Sequence, residues 1–132
     1  MKKFLIMGCI FACFAVIFGA FGAHVLKAKI SASNLSIYST AVQYQFYHSL
    51  AILLSSILYY LIKARIIKIG ILSFVIGIIL FSGSLYLLSL REMIDFKINY
   101  IIGPLTPIGG LFFIGGWLLL IIGISKHHFN EN

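Results

Sequence analysis

The stretch that decides the fold is Phe4–Ala23, FLIMGCIFACFAVIFGAFGA, which contains no charged residue. As a helix it would be about 30 Å long, which is the thickness of the hydrocarbon core of a bilayer. Lys2 and Lys3 precede it and His24 follows it. The run is longer than the apolar core of a cleaved signal peptide, so we expect it to be retained as a membrane-spanning helix. Three more apolar stretches follow, at about residues 40–62, 69–90 and 104–124.

The composition agrees with a lipid environment. The 132-residue chain is 61% hydrophobic and 10% charged, whereas soluble domains contain about 25% charged residues. We therefore predict an all-α fold, a single integral membrane bundle of four transmembrane helices over residues 1–132. The net charge of +7 comes from basic residues that flank the spans, which is typical of membrane topology and lipid contact and argues against a nucleic-acid partner.

Cys9 and Cys13 lie four residues apart in the first span, on one helix face. A metal site or a disulfide would need further partners. The residues before Cys13 loosely resemble a lipoprotein cleavage site, but the apolar run continues past it. We interpret both cysteines as small packing residues, and the sequence predicts no metal site and no cofactor.

Small residues recur at spacings that suit close helix packing. Span one has them at four-residue spacing, and spans three and four have glycines at seven-residue spacing, which is typical of left-handed helix seams. The predicted packing residues are Ala15, Gly19, Ala23, Gly70, Gly77, Gly109, Gly116 and Gly123. These seams exceed the need of four helices, so some are expected to face a second copy or another membrane protein.

Positive charge predicts the orientation. Four spans put the N-terminus, the turn at 63–68 and the C-terminal tail on one side, with Lys2, Lys3, Lys63, Arg65, Lys68 and Lys126. The other side has Lys27, Lys29, Arg91 and Lys97. Because positively charged residues favour the cytoplasmic side, the count predicts that both termini lie in the cytoplasm.

Polar residues concentrate in the halves of the spans opposite the termini. They are His24, Thr40, Gln43, Tyr44, Tyr47, His48, Ser82, Ser84, Tyr86 and Thr106. Two interpretations compete. The residues either form a closed hydrogen-bond network, each bond contributing about 0.6 kcal/mol, or line an outward-facing pocket. In the second case the glycine-rich start of span four would offer N–H groups to an anion, and the two histidines would be titratable groups at membrane depth.

Five segments carry a family resemblance: GAFGAH at 19–24, TAVQYQFYHSL at 40–50, FSGSLY at 81–86, TPIGG at 106–110 and GGW at 115–117. In this order they resemble a small bacterial inner-membrane family, domain of unknown function 423, also called uncharacterised protein family 0382. The resemblance covers nearly the whole chain and implies a multi-pass protein of the bacterial plasma (inner) membrane. It implies no substrate and no catalytic residue.

Three functional hypotheses follow. The small size and the absence of a soluble domain favour a non-enzymatic scaffold or accessory subunit. The alternative is a small-molecule or lipid-binding protein or transporter that uses His48, although no span contains the Asp or Glu on which small proton-coupled exporters rely. A haem protein is disfavoured because His24 and His48 lie at different depths, about 12 Å apart along the helix axis, and a quinone site is similarly weak.

Overall fold

The computed structural model describes residues 1–94 and 102–127, and all regular structure within these ranges is helical. Four helices are long and apolar enough to cross a membrane, which confirms the predicted all-α bundle. They are α1 (Lys2–His24), α2 (Ala32–Ile62), α3 (Arg65–Ser89) and α4 (Leu105–Ser125). Asp95 and Lys97, counted in the second connection, and His128, in the tail, lie outside the described residues.

Helix α2 begins at Ala32, earlier than the predicted start near residue 40. Ser31 caps it, because the Ser31 side chain accepts a hydrogen bond from the Asn34 backbone N–H at 3.3 Å. The first connection is therefore short and is largely a 3₁₀ turn at Leu26–Ala28. Hydropathy does not show this first part of the helix, because residues 31–36 are mostly polar. The sequence signal for the true start is Ser31, since serine is a favoured N-cap residue.

The turn between α2 and α3 consists of Lys63 and Ala64. Lys63 takes a left-handed conformation, with φ 55°, and its N–H donates to the Tyr59 carbonyl at 2.8 Å. This ends α2 and reverses the chain, so α2 and α3 are antiparallel neighbours. Helix α2 packs against α1 and α3, while α4 packs mainly on α3. The N-terminus, this turn and the end of α4 share one side of the bundle, called the terminal side below; the opposite side is the far side.

Helix α3 is not α-helical throughout. A π-helical turn, Ile78–Ser82, separates Arg65–Gly77 from Gly83–Ser89. Such a turn inserts an extra residue and locally widens the helix. It contains Phe81, whose backbone lies against Gly109 of α4, and nothing in the sequence pattern predicts it.

The predicted glycines of α3 and α4 form one antiparallel seam inside the chain. A Cβ added to an α4 glycine would collide with α3 at every seventh residue: with Phe81 at Gly109, with Phe74 at Gly116 and with Ile67 at Gly123. The arrangement is reciprocal, since a Cβ added to Gly77 would collide with Phe113 of α4, and one added to Gly70 would lie 3.2 Å from the Gly116 carbonyl oxygen. These five glycines are occupied by contacts between α3 and α4, so they are not available to a second copy.

The seam between α1 and α2 differs from the predicted stripe. Gly8, Ala15 and Gly22 are the buried small residues of α1, and a Cβ on Gly22 would lie 2.6 Å from the Tyr38 ring. Gly19 lies beside this line, and Ala23 is exposed and does not belong to it. The reason is geometric: steps of four residues drift around a helix, whereas steps of seven stay on one face.

Glu92 lies on the far side of the bundle and contacts the start of α2. Its carboxylate accepts the Ser31 backbone N–H at 3.0 Å, at a helix N-terminus, where negative charge is favoured. The hydrogen bonds from the Ser31 backbone and side chain hold the pKa of Glu92 below its usual range, with smaller contributions from Asn34 and Arg91. The buried Asn34 side-chain amide forms no hydrogen bond of good geometry itself.

Candidate functional site

His48 lies at the centre of α2 and is 6% exposed. Its Nδ1 is 2.9 Å from the Tyr44 carbonyl oxygen. Because a carbonyl only accepts, Nδ1 carries the proton and donates to it. Nε2 is then the free acceptor of a neutral ring, and it accepts the Trp117 indole N–H at 3.3 Å. Both ring nitrogens are therefore used inside the bundle, and α2 is linked to α4.

Aromatic rings enclose the His48 imidazole. The Phe113 ring stacks on it, with centroids 3.5 Å apart and planes 10° apart. Phe74 lies 5.5 Å away and also packs edge-on against Trp117 at 5.1 Å. The Tyr44 ring lies 5.9 Å from the His48 ring. The histidine–tryptophan cluster, as we name it, consists of Tyr44, His48, Phe74, Phe113 and Trp117. It joins α2, α3 and α4 at mid-membrane depth, where the imidazole makes its two hydrogen bonds to the Tyr44 carbonyl and the Trp117 indole N–H.

A second cluster joins α1, α2 and α3 and was only partly predicted. The Gln45 amide donates to the Phe11 carbonyl at 2.9 Å and accepts the Tyr86 hydroxyl at 2.9 Å. The Tyr38 hydroxyl donates to the Phe18 carbonyl at 2.9 Å. We name Tyr38, Gln45 and Tyr86 the tyrosine–glutamine cluster. Each side chain uses its polar group within the bundle, so this cluster also is closed.

The sequence reading missed Tyr38 and Gln45. In α2 it named Thr40, Gln43, Tyr44, Tyr47 and His48 instead. Tyr38, Gln45 and Ser49 mark a second buried line, about one residue step around the helix from the line of Thr40, Tyr44 and His48. The period of that line is visible in the sequence. Because α2 contacts all three other helices, its buried arc is wide and contains both lines.

Ser84 and Thr106 form a third link, between α3 and the first turn of α4. The Ser84 hydroxyl donates to the Phe81 carbonyl at 2.9 Å. The Thr106 hydroxyl then donates to the Ser84 oxygen across 2.6 Å. Helix α4 begins at Leu105, and no side chain caps it. Thr106 therefore ties two helices together.

Three other candidates, His24, Gln43 and Tyr47, are exposed and join none of these clusters. Tyr44 is also exposed, at 38%, although its ring packs in the histidine–tryptophan cluster. The Thr40 hydroxyl donates to the Ser36 carbonyl of its own helix at 3.0 Å. Helical geometry explains the separation, because five residues turn a helix by about 140° beyond a full turn, which places Gln43 well away from the face of His48. The predicted polar residues thus do not surround one outward-facing pocket.

Two further features bear on chemistry. Ser55 and Ser82 have buried hydroxyls with no hydrogen-bond partner.

Cys9 and Cys13 are free and exposed, so the structure puts them on the lipid-facing side of α1 and not in a packing seam. Within residues 1–94 and 102–127, no group of three or more His, Cys, Asp or Glu is close enough to hold a metal ion.

Comparison with known proteins identifies the family. The family model described as "Protein of unknown function (DUF423)" matches residues 18–110. The chain belongs to the DUF423 family. It is 46% identical over 126 residues to the UPF0382 membrane protein SSP2132 of Staphylococcus saprophyticus, covering 96% of this chain and 99% of that protein. It is 40% identical over 129 residues to the UPF0382 membrane protein YwdK of Bacillus subtilis, with coverages of 96% and 99%.

These matches confirm the family resemblance and the membrane nature of this DUF423 chain. No solved structure matches it. The relatives are bacterial membrane proteins of similar length, which agrees with a multi-pass chain of four spans. The matched residues contain the whole tyrosine–glutamine cluster and His48, whereas Trp117 follows them. The family description assigns no activity, so function has to be argued from the geometry.

Proposed function

We propose that this DUF423 chain is a non-enzymatic membrane subunit, a scaffold or accessory protein whose polar clusters fix the packing of its four helices. One observation supports this most directly: both ring nitrogens of His48 are engaged inside the bundle. A catalytic or ligand-binding histidine needs at least one nitrogen free to meet a substrate or to exchange a proton. Opening this site would break the Trp117 bond and leave the buried His48 Nε2 and the indole N–H of the half-exposed Trp117 without hydrogen-bond partners.

The alternative, a ligand pocket or transport path at His48, has weaker support. The stacked Phe113 ring covers one face of the imidazole, and no Asp or Glu lies in any of the four helices. Hydrogen bonds between helices in a membrane stabilise packing by about 0.6 kcal/mol each. Several such bonds together suit a rigid body better than a site that must open.

We further propose that the protein lies in the bacterial plasma membrane with both termini in the cytoplasm. Six exposed Lys and Arg side chains lie on the terminal side, at Lys2, Lys3, Lys63, Arg65, Lys68 and Lys126. The described far side has Lys27, Lys29 and Arg91, opposed by Glu92. The positive bias therefore favours a cytoplasmic terminal side.

A scaffold needs a face for its partner, and the exposed side of α1 and α2 has suitable chemistry. Gly19 and Ala20 leave a shallow cavity of about 440 Å³ whose rim includes Gln43 and Tyr47. Small residues with neighbouring polar side chains are typical of helix–helix interfaces in membranes. A glutamine amide both donates and accepts, so two copies related by a two-fold axis satisfy each other at Gln43. We commit to a second copy of this chain as the occupant.

Native mass spectrometry of protein extracted gently from its own membrane tests this function. We expect a homodimer that carries no small-molecule adduct dependent on His48. Gln43→Leu should yield monomers, whereas Tyr60→Leu, which removes another exposed polar side chain of α2, should leave the dimer intact. A reproducible non-lipid adduct that is lost in His48→Gln would overturn the scaffold proposal in favour of a binding protein. If Gln43→Leu remains a dimer, the Gln43 face is not the dimer interface, and only that part of the proposal is excluded.

A further inference from the structure

A groove runs along the lipid-facing surface between α1 and α3. Both helices pack against α2, and they meet each other where the Phe18 and Tyr86 rings make an edge contact, with centroids 5.2 Å apart. On either side of this contact lies a cavity, one of about 350 Å³ and one of about 220 Å³. Phe11, Phe14 and Gly83 line the larger one, and Phe21 and Leu90 line the smaller one.

The groove offers carbon surface and no free hydrogen-bonding group. The polar side chains in its lining are Gln45, Tyr38 and Tyr86. The Gln45 amide and the Tyr86 hydroxyl bond to each other, and the Tyr38 hydroxyl bonds to the Phe18 carbonyl. An occupant of this groove therefore has to be apolar over its whole length, because a polar group would find no partner there.

The length of the groove matches one leaflet of a bilayer. From Phe11 to Phe21 it follows α1 for ten residues, which is about 15 Å at 1.5 Å per residue. Half of the roughly 30 Å hydrocarbon core is the same length. The groove begins near mid-membrane and ends at the far side, where Leu90 and Leu26 pack in one apolar group.

Exposed cations stand where the groove reaches the headgroup region. Arg91 directly follows Leu90, Lys27 lies within the 3₁₀ turn that Leu26 begins, and Lys29 directly follows that turn. The one described acid here, Glu92, is turned to the start of α2, where it accepts the Ser31 N–H. Cations at this level attract anionic lipid headgroups, and arginine suits a phosphate in particular.

From this geometry we propose that the groove is a binding site for an anionic phospholipid of the far leaflet. One acyl chain lies between α1 and α3, and the phosphate is near Arg91. A helix with side chains is 10–12 Å wide, so a 15 Å length occupies on the order of 1,200 Å³. The two cavities, about 350 Å³ and 220 Å³, enclose much less than this, so the groove suits one acyl chain better than a helix.

Gly83 allows a clean test. It lines the groove, and a Cβ added to it meets nothing within 4 Å, so Gly83→Leu adds a side chain to the groove with no steric clash at its Cβ. Gly110→Leu on α4 is the matched control, because it is the same substitution outside the groove, and its Cβ would be 3.8 Å from Phe81. Arg91→Gln tests the headgroup contact separately.

The probe is phosphatidylglycerol, offered in nanodiscs against an equal amount of phosphatidylcholine, with retained lipid read by native mass spectrometry. We expect the wild type and Gly110→Leu to retain one phosphatidylglycerol. Gly83→Leu should lower retention about tenfold, which corresponds to about 1.4 kcal/mol, and Arg91→Gln should remove the preference for the anionic lipid. Equal retention in Gly83→Leu and wild type would overturn the proposal, as would a Gly83→Leu protein that loses its self-association, because the groove would then hold a helix.

A second measurement on the wild type does not depend on any variant folding. Phosphatidylglycerol with a photoreactive group on one acyl chain should label peptides that contain Phe14, Phe18 or Ile79. Labelling spread evenly over the exposed side chains of α4 would contradict a defined site. The Gln43 face lies outside this groove, so the lipid site and the proposed dimer can fail independently.

Discussion

Gly109 is the position at which we expect a single added methyl group to destabilise the protein most, because it lies against the backbone of α3. In Gly109→Ala the new Cβ would overlap the backbone of Phe81 in the π-helical turn of α3, lying 2.8 Å from its Cα and closer still to its N. Backbone atoms cannot rotate away as a flexible side chain can. Helix α4 therefore has to move away from α3, which loosens the contacts at Gly116 and Gly77 along the same seam.

The expected magnitude follows from two opposing terms. Overpacking typically costs about 1–3 kcal/mol, and a backbone obstacle places this site at the upper end. Alanine is a better helix former than glycine by about 1 kcal/mol, which offsets part of the cost. Gly109→Ala should thus destabilise the protein by about 2 kcal/mol. Gly83→Ala has only the second term, because its Cβ meets nothing within 4 Å, and it should stabilise the protein by up to about 1 kcal/mol.

Equilibrium unfolding in mixed micelles, with helix content read by circular dichroism, measures both free energies. The difference between the two alanine variants cancels the propensity term and isolates the steric one, about 3 kcal/mol. Equal stabilities of Gly109→Ala and Gly83→Ala would refute the close approach of α4 to the π-helical turn.

Three further predictions concern hydrogen bonds. Gln45→Leu and Tyr86→Phe, measured singly and together, should show a coupling free energy of about 0.6 kcal/mol for their 2.9 Å bond, and additive effects would show that no bond is made. Trp117→Phe should destabilise by about 1 kcal/mol, because it leaves His48 Nε2 without a donor, and the same loss in a His48→Gln background would contradict the pairing. Because the pKa of Glu92 is lowered, its contribution to stability is present above the ordinary glutamate pKa and is lost as the pH falls through the lowered value. Thermal melts of Glu92→Gln at different pH values should lack this acid-dependent loss of stability. If the variant retains the loss, another group causes it.

Much of the fold follows from the sequence because lipid imposes simple rules. A run of about 20 apolar residues without charge has to be a spanning helix, so four spans and the all-α class were predictable. The seven-residue glycine period of α3 and α4 likewise indicated a close seam. The identity of its partner was not predictable, since a period does not say whether Gly109 faces its own chain or a second copy.

The candidate site was less predictable, for three physical reasons. The π-helical turn at Ile78–Ser82 has no sequence signal, although it sets the approach of Gly109. Helix α2 contacts three neighbours, so polar residues on several of its faces are buried, and the sequence pointed to Gln43 although Gln45 is the one with partners inside the bundle. The early start of α2 was visible only through the Ser31 cap.

The state of the His48 ring tests the central proposal, a closed polar network, most directly. Solid-state nitrogen NMR of histidine- and tryptophan-labelled protein in bilayers, with His48→Gln to assign its signals among the four histidines, reports which ring nitrogen carries the proton. We expect a neutral ring protonated at Nδ1, with the Trp117 indole N–H hydrogen-bonded to Nε2 and slow to exchange with water. A ring protonated at Nε2 or at both nitrogens, or an indole N–H that exchanges rapidly, would contradict the closed network and favour an accessible binding site at His48.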